Sequence, residues 1–176
     1  MEMLILVPKM TNRLFYIFEL LFKEELGIDF KFTLEEERYL AYQGPKFHYG
    51  KSPLQNEPAL FQQSVDLLFQ RDIADQNIKI CNYKDSKAIY PVFNDSSLFP
   101  FDIFAASFYI ISRYEEYLPH VCDQYNRFQP HDSILYKMEV IEKPIINLWA
   151  KELGNEIKKV YPDIQLKKKT FKFVPT

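Results

Sequence analysis

Residues 3–33 read MLILVPKMTNRLFYIFELLFKEELGIDFKFT, and this stretch decides the fold. Met3–Val7 is a short continuous apolar run stopped by Pro8, the pattern of a strand buried on both faces. Thr11 and Asn12 can cap a helix. Leu14, Phe15, Ile17, Phe18, Leu21, Phe22 and Leu26 then recur at helical spacing. Gly27 stands where a helix ends in the left-handed conformation, which glycine adopts without steric cost. Ile28, Phe30 and Phe32 alternate with Asp29, Lys31 and Thr33, the strand period. Strand, helix and strand in this order form a βαβ unit with a right-handed crossover. The fold class that follows is α/β: a single three-layer-like domain with a mixed, mainly parallel sheet flanked by helices.

Further along, Tyr39–Tyr42 and Lys46–Tyr49 read as short strands around a turn at Gly44-Pro45. Ala59–Phe69 has a helical tendency. Ile78–Cys81 and Ala88–Phe93 read as a strand pair joined near Lys84-Asp85-Ser86. Asp102 suits the N-cap of a helix carrying Ile103, Phe104, Phe108, Ile110, Ile111 and Tyr114, with Pro119 as its stop. Ile134–Ile141 reads as a strand. Pro144 suits the first turn of a helix whose apolar positions are Ile145, Trp149, Leu153, Ile157 and Val160. Lys167–Lys169 is a basic run before a strand-like end, Phe171–Thr176.

Composition narrows the function classes. The chain has 176 residues, 47% hydrophobic and 16% aromatic, enough for one domain with a real core. A net charge of −2 argues against a general nucleic-acid binder. Cys81 and Cys122 are too few for a disulfide framework or a zinc cluster, as expected of a cytoplasmic protein. No apolar run reaches the ~20 residues of a membrane helix, so no membrane partner is expected. Only 4 glycines are present, and neither GxGxxG nor GxxxxGK[ST] occurs.

Two groups of residues are candidates for a site. Lys9, Asn12 and Arg13 lie in the first strand-to-helix loop, where open α/β sheets bind anionic ligands. The competing reading is an ordinary capped helix with two solvated cations, favoured by the missing glycines. The second group is Arg113, Glu115 and Glu116 with Asp123, Tyr125 and Arg127. Adjacent carboxylates sit about 100° apart on a helix, so Glu115 and Glu116 do not face one substrate as a glycosidase pair. The group reads as an interface or a structural network, in which Arg113 anchors Glu116 or Asp123. His48, His120 and His131 fit no usual zinc spacing, and no GxSxG nucleophile elbow occurs. No catalytic or metal-ligating residue is assigned.

Phe99-Pro100-Phe101-Asp102, Ser112-Arg113-Tyr114-Glu115-Glu116-Tyr117-Leu118-Pro119 and Asp123-Gln124-Tyr125-Asn126-Arg127-Phe128 carry a resemblance. With Leu4–Arg13, Ala105–Tyr109 and Pro144 with Asn147–Ala150, the chain resembles the uncharacterised N-terminal domain of bacterial polysaccharide deacetylase family proteins. The resemblance implies an accessory domain over residues 1–170, with residues 171–176 starting a deacetylase-like domain in the same polypeptide. The resemblance implies metal-dependent removal of acetyl groups from sugars, by an acidic pair of which one is the base and one a metal ligand, with two histidines of an HxxxH-like motif. This chain has no Asp-Asp dipeptide and no HxxxH, so no catalytic residue carries over. The metal and the carbohydrate substrate would belong to the following domain. The alternative expectation is an independent sugar or nucleotide-sugar binding module using the Lys9–Arg13 loop.

Overall fold

Four parallel strands in the order β2-β1-β3-β4 form the centre of the molecule: β1 (Met3–Leu6), β2 (Phe30–Thr33), β3 (Lys46–Gly50) and β4 (Leu60–Gln63). The computed structural model describes residues 2–55 and 60–167. In β1, Met3 and Ile5 enter the main core, and Leu4 and Leu6 face the opposite layer. The continuous apolar run is thereby explained, because a central parallel strand is covered on both faces. Met3 lies opposite Phe30 and Ile5 opposite Phe32; on the other side Ile5 lies opposite Phe47.

The first crossover begins as α1 (Asn12–Phe18), with the Thr11 hydroxyl accepting from Leu14 N–H, and continues as a π-helical segment, Glu19–Leu26. Leu14, Phe18, Phe22 and Leu26 repeat every four residues and are all buried. Such a stripe drifts around an α-helix of 3.6 residues per turn. The wider i→i+5 turn reverses the drift and keeps Phe22 and Leu26 on the sheet. Gly27 closes the segment at φ 71°.

The main layer is completed by α3 (Ile103–Ile111) and α5 (Ile145–Val160). Phe104 of α3 is the aromatic hub. Its ring stacks on Phe18 at 4.1 Å between centroids and meets Tyr49 at 5.2 Å and Phe47 at 5.7 Å. The opposite face is covered by α2 (Glu36–Ala41), whose Tyr39 is fully buried with Leu4 and Leu6. A separate antiparallel hairpin, β5 (Ile80–Tyr83) and β6 (Ser86–Ile89), meets α5 through Tyr83 and Glu152.

Five expectations are corrected. Tyr39–Tyr42 is not a strand: Tyr39 to Ala41 end α2, the crossover that the second sheet face needs, and its acidic first turn suits a helix N-terminus. Of the helix expected over Ala59–Phe69, Ala59 lies outside the described residues, Leu60–Gln63 instead pair with β3, and Leu67–Phe69 form a 3-10 turn. Ile134–Ile141 is not a strand. Ser133 caps a one-turn helix, α4 (Ile134–Lys137), which puts Ile134 and Met138 inside and leaves Tyr136 exposed. Finally, α3 ends at Ile111 rather than at Pro119, because Arg113 adopts φ 51° and Tyr114–Tyr117 continue as a 3-10 turn. The hairpin is also shifted, with Tyr90 at φ 63° ending β6 early. The strand-like end at Phe171–Thr176 and Lys168 and Lys169 of the basic run lie outside the described residues.

Candidate functional site

In an open parallel sheet, ligands bind beyond the carboxyl ends of the strands, where the strand order reverses. Here that point lies between β1 and β3, beside the N-terminus of α1. The chain itself fills much of it. After β4, Ser64 N–H donates to Gly50 O at 2.8 Å, and Val65 N–H donates to Asp102 Oδ2 at 2.7 Å. The Thr11 hydroxyl donates to Leu68 O. Arg13 then clasps the same segment: Nη1 donates to Leu67 O at 3.0 Å and Nη2 to Asp72 O at 2.9 Å. Its guanidinium also lies over the rings of Tyr114 and Phe108, at 5.4 and 5.6 Å from their centroids. The planar fork suits this double role of donor and ring partner.

Of the three loop candidates, Arg13 is therefore bound to protein carbonyls, while Lys9 and Asn12 are exposed. A cavity of about 380 Å³ remains, lined by Met10, Thr11, Asn12, Arg13, Gln70 and Arg71. Gln70 and Arg71 were not legible as site residues, because they reach the loop only through the fold of the segment after β4.

Asp102 organises the neighbouring interior. Its Oδ1 accepts from Phe104 and Ala105 N–H, the cap expected of it. Its Oδ2 accepts from Val65 N–H and from the Tyr49 hydroxyl, each at 2.7 Å. Burial pushes the carboxyl up to about 6, against the downward pull of these four donors. Burial, with the neighbouring Asp102 charge, also raises the Tyr49 phenol well above its usual range. On the other face His48 is buried between Tyr39 and Phe61, and desolvation lowers it to about 4. It is a neutral core histidine near pH 7.

The second candidate group divides into three local arrangements. Arg113 pairs with Glu116 on the surface, three residues on, and not in a buried network. Glu115 turns away to accept from Ile134 N–H at 2.9 Å, and burial raises its carboxyl. Asp123 takes Arg127 as its partner instead of Arg113. It accepts from Tyr125 N–H at 2.8 Å, Arg127 N–H at 2.9 Å and the Arg127 guanidinium at 2.8 Å, and these bonds hold it below the usual carboxylate range. The Arg127 guanidinium sits 4.8 Å from the centre of the Tyr125 ring. Arg113, Glu115 and Glu116 line a 230 Å³ hollow with Phe128 and Ile134. Tyr117, Val121 and Tyr125 project outward, each about two-thirds exposed or more.

Among the described residues, no three His, Cys, Asp or Glu side chains gather as a metal-binding group. Among the same residues, no helix is long and apolar enough to cross a membrane. Residues 3–162 match the model of a protein family described as a family of unknown function, DUF7033. No curated protein and no solved structure matches the chain.

Proposed function

The chain belongs to the DUF7033 family, whose function is unknown, and from that premise we propose that it is a non-catalytic accessory domain. It packs on and supports a catalytic domain of the same polypeptide, a carbohydrate deacetylase. The observation that carries the accessory role is the Arg113–Arg127 stretch. Its charged side chains pair locally, as Arg113–Glu116 and Asp123–Arg127, and its exposed large hydrophobic side chains are Tyr117, Val121 and Tyr125. A locally braced segment that presents apolar rings to solvent suits a docking surface, since large exposed apolar groups mark interaction sites. The self-filled crevice agrees with this reading, because Arg13 and Thr11 spend their polar groups on the protein's own backbone. The deacetylase part rests on the resemblance of the Phe99–Pro119 and Asp123–Phe128 blocks.

The test compares this domain with the longer polypeptide. Backbone amides of residues 117–127 should exchange more slowly when the following domain is present. Changing Tyr117, Val121 and Tyr125 together to Ser should restore fast exchange and lower both the thermal stability and the hydrolysis of acetylated sugars by the longer protein. Unchanged exchange and unchanged activity would remove the accessory reading.

The 380 Å³ cavity beside Asn12 and Arg71 favours a second reading, a binding module for a sugar or nucleotide-sugar. Titration of the isolated chain with nucleotide-sugars, followed by amide shifts of Met10–Arg13, decides it. Flat titrations at millimolar ligand discard the idea.

A further inference from the structure

We propose that β2 is an interface strand, which pairs antiparallel with β2 of a second copy of this chain, two-fold symmetric about Phe30. The inference is independent of the accessory role. Among the described residues, no strand pairs with the outer side of β2. The opposite edge of the sheet is treated differently: Leu98 N–H donates to Phe61 O at 2.7 Å, and the Gln62 amide grips the backbone of Phe99 and Phe101. An uncovered edge is a template for another strand.

The direction of the backbone groups follows from the register. Met3 N–H donates to Asp29 O and Val7 N–H to Thr33 O, so the odd-numbered residues of this strand turn inward to β1. Phe30 and Phe32 therefore aim their N–H and C=O groups outward. Their side chains pack on the main core, beside a Phe15 ring that is 48% exposed. A groove of about 490 Å³ runs along this edge, lined by Phe15, Phe30 and Phe32 with Glu2, Asp29 and Lys31.

Charge selects both the partner and the register. With Phe30 opposite Phe30 of the second copy, each Asp29 faces Lys31 of the other copy, giving two opposite-charge pairs on one face. Sliding to Phe30 opposite Phe32 would set Lys31 against Lys31, and like charges directly opposite are destabilising. The strand is thus complementary to itself in one register. Ile28 N–H is already bonded to Phe22 O, so the ladder is short and the dimer is weak and concentration-dependent.

Sedimentation equilibrium of the full chain, with amide exchange at rising concentration, tests the proposal. The chain should dimerise, and the Phe30 and Phe32 amides should gain protection as concentration rises. Lys31→Glu and Asp29→Lys should each weaken association about tenfold, because two attractions become two repulsions. The double variant Asp29→Lys/Lys31→Glu should restore it. Lys31 also pairs with Glu2 at 2.8 Å, so the urea midpoint of each variant is measured to confirm the fold. Three results overturn the idea: a monomer at every concentration, association indifferent to the charge swaps, or protection of Phe30 and Phe32 that does not depend on concentration. The last would mean that a single chain covers its own edge.

Discussion

The Tyr49 hydroxyl donates to Asp102 Oδ2 at 2.7 Å, joining residues 53 positions apart in the chain. Through this bond one carboxylate links β3 to the start of α3, and its bond to Val65 N–H ties in the segment after β4. A fully buried carboxylate with four donors is a costly element to disturb. Removing the carboxylate leaves its buried donors without a bond, and removing one donor leaves a buried acceptor one bond short.

Tyr49→Phe should therefore destabilise the protein by about 1.5–3 kcal/mol, the usual range for a hydrogen bond to a charged group. Asp102→Ala should cost more, about 3–5 kcal/mol, since it removes the cap of α3 and orphans Tyr49 and Val65 together. Urea unfolding measures both. An Asp102→Ala loss below that of Tyr49→Phe would contradict the linking role.

Asp102 and His48 should give opposing pH dependences. The folded Asp102 carboxyl is raised to about 6, so its contribution is fully present below its unfolded value and is lost as pH rises through 6. The folded His48 is depressed to about 4, so its contribution is present above its unfolded value and is lost as pH falls through 4. The two largely offset each other between pH 4 and 6. His48→Phe should expose the Asp102 slope. The stability gap between variant and wild type should shift by about 3 kcal/mol in favour of the variant from pH 7 to pH 4. A constant gap would show that His48 is not held neutral by the fold.

Arg13 should behave as a clasp. Arg13→Lys keeps the charge but loses the planar fork that reaches Leu67 O and Asp72 O and covers the Tyr114 ring. Amide exchange of residues 67–76 should accelerate in Arg13→Lys nearly as much as in Arg13→Ala. Full retention of protection in the lysine variant would mean that charge alone holds the segment.

Gly27→Ala should lower stability by about 1–2 kcal/mol, because an L-residue with a Cβ is strained in the left-handed region. The added Cβ would also lie 2.8 Å from the Lys167 Cβ. A thermal melt that matches wild type would show that this corner relaxes freely.

The elements read correctly from sequence are those whose signal is local. Thr11 and Asp102 are side-chain caps, Gly27 is a left-handed terminus, and α5 follows its apolar period. The misread elements share a cause. Alternation over Ile134–Ile141 imitates a strand, but Ile134 and Met138 are also four apart, and the Ser133 cap settles the choice. In β4 the strand signal is masked by Gln62, a polar residue made buriable by partners at Phe99 and Phe101, far away in sequence. For the candidate site, residue types pointed to Arg13 and Asp123, but their partners were not legible. Arg13 meets carbonyls of a segment 54 and more residues away, and Asp123 meets Arg127, while Arg113 takes Glu116, one of its two expected partners.

By itself, then, the sequence determined the α/β class, the opening βαβ unit, the side-chain caps of α1 and α3 and the left-handed Gly27, because caps, glycine and hydrophobic period act within a few residues. Only the tertiary structure decided that the crevice beyond β1 and β3 is filled by the segment after β4. It alone decided that Asp102 binds Tyr49 and Val65 and that His48 is buried and neutral. Those outcomes depend on which distant donors and acceptors meet once water is excluded, and a buried polar group takes whichever partner the packing brings within reach.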